Sequence, residues 1–126
     1  MSTRKIMVVD DSRVVYTEMC KMLQGTEFEI AAFCRSGEEA LKRYEEIKPD
    51  VVTLDIVMPG MDGLETCEEM RSRWPESKIF MVSSMAYEDM INRAAAMGAK
   101  SFLFKPFTRD DLLRGLRGVL KSDTKE

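Results

Sequence analysis

Four apolar runs in this sequence end in residues able to do chemistry: KIMVV in Asp10-Asp11, VVTL in Asp55, IFMV in Ser83-Ser84 and FLF in Lys105-Pro106. Each alone has an ordinary explanation. The paired acids read as solvated loop or helix-start residues, and Asp55 as a strand-terminal acid before a turn. Ser83 reads as a hydroxyl bonded to its own backbone, and Lys105 as an exposed turn lysine. What narrows the choice is that the chain has no histidine. Ser-His-Asp and Cys-His catalysis, imidazole metal sites and any phosphohistidine role are thereby removed. Cys20, Cys34 and Cys67 are odd in number and form no C-x-x-C pair, so neither a disulfide framework nor a zinc site is expected. They are expected to be reduced and partly buried.

The elements that would carry these residues alternate between apolar runs and helical patterns along all 126 residues. Lys5 to Val9 is the first strand, and Ser12 can cap a helix that presents Val15, Met19, Met22 and Leu23 on one face before Gly25. Phe28, Ile30 and Ala32 alternate with Glu29 and Ala31, which suggests an edge strand with one wetter face. Ser36 to Glu39 reads as a capping box opening a helix that Pro49 ends. Val51 to Leu54 is a buried strand, and the loop MPGMDG leads to a helix over 64–73. A strand over 79–82, a helix over 89–97 stopped by Gly98, a strand over 102–104 and a helix capped by Thr108 follow. The tail over 122–126 is polar and expected to fray.

This is an α/β chain of five (βα) units, a doubly wound, flavodoxin-like parallel sheet with helices on both faces. The strand order 2-1-3-4-5 is adopted from doubly wound proteins of known structure. The length suits one domain, with a core over about residues 4–121 and no room for an output domain. Net charge is −3, so no basic footprint for nucleic acid is expected. The N-terminus has neither a signal-peptide nor a membrane-span pattern, which points to the cytoplasm.

In such sheets ligands bind beyond the carboxyl ends of the strands, where the order switches. Asp10, Asp11, Asp55, Ser83 and Lys105 all belong to that end, with the first and third strands as neighbours. Crowded carboxylates repel one another and have raised pKa values unless a cation joins them. A hard divalent ion with oxygen ligands answers that repulsion. Mg²⁺ suits one or two carboxylates plus waters and a phosphate, with Mn²⁺ as the alternative.

Taken together, V-D-D at residues 9–11, L-D-I-V-M-P-G-M-D-G at 54–63, S-S at 83–84 and K-P-F at 105–107 resemble the receiver domain of response regulators. The likeness is greatest to stand-alone chemotaxis regulators of the CheY type. That resemblance implies a Mg-dependent phosphoacceptor of two-component signalling, not a classical enzyme, with Asp55 as the phosphorylated residue. It implies Asp11, Asp55 and the Val57 carbonyl as direct metal ligands and Asp10 as a ligand through water. Ser83 and Lys105 would contact phosphoryl oxygens, and Phe102 would occupy the aromatic switch position.

The implied partners are a histidine kinase as donor and a downstream target on the face of the fourth helix, fifth strand and fifth helix, with the flagellar motor switch as one candidate. Val57 and Met85 are both apolar where they would flank the phosphoryl group, so a separate phosphatase is expected. A receiver of another phosphorelay is the alternative. An aspartate-nucleophile phosphatase is less suited, because Val57 stands where such enzymes carry a second acid. An electron carrier of the flavodoxin type would need a phosphate cradle where Asp10-Asp11 stands.

Overall fold

The structure is a computed structural model that describes residues 3–85 and 87–121, so the expected tail at 122–126 lies outside the described residues. Strands and helices alternate as β1 (Arg4–Val9), α1 (Arg13–Leu23), β2 (Phe28–Cys34), α2 (Gly37–Ile47), β3 (Val51–Leu54), α3 (Gly63–Arg73), β4 (Ile79–Ser83), α4 (Glu88–Ala96), β5 (Ser101–Phe104) and α5 (Arg109–Lys121). All strand pairs are parallel in the order β2-β1-β3-β4-β5. The expected architecture is therefore the observed one.

The strands β3 and β4 are buried on both faces, which is why they read as unbroken apolar runs. One core joins Met7, Val9, Leu54 and Met81 to α2, α3 and Ala94 of α4. The other joins Ile6, Val8, Phe80 and Val82 to Met19 and Leu23 of α1 and to Leu112 and Leu116 of α5. Met19 and Met81 are core residues, and Met22 and Met97 pack against the cores, as their spacing suggests. Among the described residues no helix is long and apolar enough to cross a membrane.

Two local readings are corrected. The alternation in β2 does not run straight through, because the pairing with β1 slips between Ile6 and Met7 and leaves Ala31 as an extra residue. Phe28 and Ile30 therefore pack in one core, while Ala32 and Cys34 pack in the other. The box at Ser36 is only half formed: the Ser36 hydroxyl accepts from the Glu39 N–H at 3.1 Å, but Glu39 accepts from the Arg35 N–H at 3.0 Å, one residue further out. A complete capping box sits instead at α3, where Asp62 and Glu65 exchange bonds of 2.9 and 3.0 Å. It starts α3 at Gly63, one residue before the expected start.

Candidate functional site

The site is laid out by backbone hydrogen bonds at and just beyond the strand ends. The Asp10 N–H donates to Cys34 O at 3.0 Å, the Asp55 N–H to Val9 O at 2.9 Å and the Lys105 N–H to Ser83 O at 2.9 Å. Neighbouring strands thus fix the main chain from which each functional side chain springs. The Lys105–Pro106 peptide is cis.

Behind Asp55, α3 begins without any gap. The Gly63 N–H donates to Ile56 O at 2.7 Å, and a Cβ on Gly63 would stand 2.6 Å from Ile56 Cα and collide with the Asp55 carbonyl. Only a residue without a side chain lets the helix start there.

Asp10, Asp11 and Asp55 come together, each with a carboxylate oxygen within 4.8 Å of the others. Asp10 and Asp55 are buried and Asp11 is exposed. The Lys105 ammonium lies 2.9 Å from Asp10 Oδ2 and 3.6 Å from Asp55 Oδ2. Asp10 has a second tie, since its Oδ1 accepts from the Ser12 N–H at 2.9 Å. Asp55 is less well served. Its burial, and then the Asp10 carboxylate, push its pKa up to about 6, against the opposing pull of Lys105 and the Ile56 N–H. Two buried acids sharing one ammonium are thus left short of positive charge. With oxygen as the only donor atom of these acids, the set fits a hard divalent cation such as Mg²⁺.

Residues 6–117 match the response regulator receiver domain family. The chain belongs to that family. It is 40% identical to the chemotaxis protein CheY of Listeria monocytogenes, over 93% of this chain and 98% of the relative. CheY of Thermotoga maritima is 33% identical, over 94% and 98%. Among solved structures, the CheX–CheY–BeF3–Mg complex of Borrelia burgdorferi aligns with a TM-score of 0.90 at 28% identity, covering 94% of this chain and 90% of that one. The protein therefore contains a CheY-like receiver domain of two-component signalling, and receivers of this type are phosphoacceptors.

The other residues singled out in this receiver lie on the same end or beside it. Ser83 is fully buried at the end of β4, and its hydroxyl accepts from the Met85 N–H at 3.1 Å. Val57 is exposed in the loop between β3 and α3. Phe102, on β5, is half-buried against the core shared with α3 and α4, its ring 5.2 Å from that of Phe104. Sequence reasoning missed Ser12 as a donor to Asp10, although an Asp two residues before a Ser is a readable Asx turn. It also missed Arg35, which donates to the Asp11 carbonyl at 3.1 Å and carries no local signal.

Proposed function

We propose that this chain acts as a stand-alone response regulator, phosphorylated on Asp55 by a separate histidine kinase and working in the cytoplasm, in chemotaxis. The observation that carries this reading is the meeting of Asp10, Asp11, Asp55 and Lys105 at the switch in strand order.

In the proposed reaction an Asp55 oxygen attacks phosphorus in line, and the bond from phosphorus to the donor's imidazole nitrogen breaks, its electron pair leaving with the imidazole. Lys105 serves the phosphoryl oxygens, and the Ser83 hydroxyl donates to another. Mg²⁺, or Mn²⁺, held by Asp11, Asp55 and the Val57 carbonyl, and by Asp10 through water, would offset charge on those oxygens. The Borrelia relative, solved with BeF3 and Mg, supports the choice of ion.

Once Ser83 turns to the phosphoryl group its bond to the Met85 N–H is given up, and Phe102 turns into the vacated space. A target reads the altered α4–β5–α5 face; the flagellar motor switch is the candidate. Acetyl phosphate with Mg²⁺ is expected to add one phosphoryl mass to the wild type and none to Asp55→Asn, read by intact mass spectrometry. A group still gained in full by Asp55→Asn would overturn the assignment. Asp11→Asn is expected to weaken Mg²⁺ binding.

Resetting needs a water in line with phosphorus. Neither Val57 nor Met85 can position one, so a separate phosphatase is proposed. Val57→Asn with Met85→Glu is expected to speed decay of the phosphorylated protein by about tenfold or more. Equal decay in wild type and double variant would remove the need for that partner.

A further inference from the structure

The helix α4 is held very differently at its two ends. Its C-terminus closes in a Schellman motif, with the Gly98 N–H donating to Ala95 O and the Ala99 N–H to Ala94 O, both at 3.0 Å. Gly98 supplies the positive φ of 102° that this motif requires. Against Gly98 lies the guanidinium of Arg71, from the last turn of α3. A Cβ on Gly98 would stand 2.5 Å from Arg71 Nε. Arg71 cannot simply move aside, because its Nη1 donates to Ser77 O at 2.7 Å and also to Pro75 O. Its Nε is buried and has no hydrogen-bond partner among the described residues. A fork placed only to satisfy hydrogen bonds would not leave that donor orphaned.

At the N-terminal end Met90 packs against the core, but among the described residues there is no comparable clamp. Tyr87 provides no side-chain cap and is exposed, and Ala94 is the one buried residue of α4. The bond from the Met85 N–H to Ser83 Oγ is the tie that leads from this end back to the site.

We infer that Arg71 is a positioning residue that clamps Gly98 and so fixes the C-terminal end of α4 as a pivot, about which the N-terminal end swings. The clamp stands on geometry alone; the swing rests on the proposed phosphorylation of Asp55.

Hydrogen exchange, resolved by residue, tests the two parts separately. In the unphosphorylated protein, Arg71→Met is expected to speed exchange at Met97, Gly98 and Ala99 by about tenfold while exchange in the sheet stays unchanged. Uniform loss of protection, or unchanged exchange at residues 97–99, would overturn the clamp.

With acetyl phosphate and Mg²⁺, altered exchange in the wild type is expected over residues 84–91 with residues 95–99 unchanged, and in Arg71→Met the change should spread to 95–99. Change at 95–99 in the phosphorylated wild type would overturn the pivot. A mass spectrum showing no phosphoryl group would instead fail the functional reading and leave the clamp standing on its first test.

Discussion

The two ends of the sheet use the same kinds of charged side chain to opposite effect. At the amino end acids and bases are matched: Arg117 meets Glu27 through two bonds of 2.8 and 2.9 Å, and Asp50 accepts from the Lys5 N–H at 2.7 Å. The Arg117 guanidinium, with the Glu27 backbone, holds the Glu27 carboxyl down at about 2. At the carboxyl end Asp10 and Asp55 share Lys105, and Asp55 is pushed up to about 6. One end contributes stability; the other gives some up and leaves negative charge that a cation would neutralise.

That contrast predicts opposite outcomes from similar substitutions. The largest effect is expected at Asp55. Its pKa is raised on folding, so the folded state holds the proton longer, and stability falls as pH climbs from about 4 through about 6. Without divalent cation at pH 7.5, Asp55→Asn should therefore be more stable than wild type by on the order of 2 kcal/mol. Urea unfolding should show the gap closing at pH 4 and shrinking when Mg²⁺ is added to wild type. Parallel curves for the two proteins across this range would break the comparison.

A smaller change is expected at Lys105. Lys105→Ala leaves the two buried acids facing each other and should cost about 1 to 2 kcal/mol in cation-free buffer. Its Mg²⁺ affinity should not fall, because the ammonium bonds Asp10 in the cation-free protein, while phosphorylation or its consequences should be impaired. Titration with Mg²⁺ beside the mass assay separates the two, and equal loss of both would make Lys105 a structural residue.

The smallest effect belongs to the amino end. Glu27→Gln should cost less than about 1 kcal/mol at pH 7, since the pair is exposed to solvent. With a lowered carboxyl the sign reverses from that of Asp55. The contribution is present above the ordinary glutamate value and disappears as pH falls toward 2, which urea midpoints at pH 7 and pH 3 would register.

Much of this arrangement could be read in the residues because strand ends and chemistry coincide. An apolar run that stops at an acid, a hydroxyl or a lysine places that group at one edge of a parallel sheet, and the four runs agreed. The Asp62 and Glu65 pair that caps α3 is equally readable, although Asp62 falls in the expected loop MPGMDG and Glu65 in the helix expected after it. Other features depend on contacts far apart in the chain. Nothing near Asp55 says that Lys105 stands closer to Asp10 than to Asp55, and nothing near Arg71 points to Gly98. The extra residue in β2 is hidden too, because Ile30, Ala31 and Ala32 are all apolar and either phase of alternation looks acceptable.

That extra residue also bears on how the protein behaves in a crowded solution. The strand β2 forms an open border of the sheet, and a straight border of seven residues as apolar as FEIAAFC would invite a strand from another molecule to pair along it. The bulge at Ala31 twists the border and interrupts its regular spacing of donors and acceptors, so an incoming strand cannot keep register along its length. A device for keeping copies of the protein apart is thus built into the edge strand opposite β5.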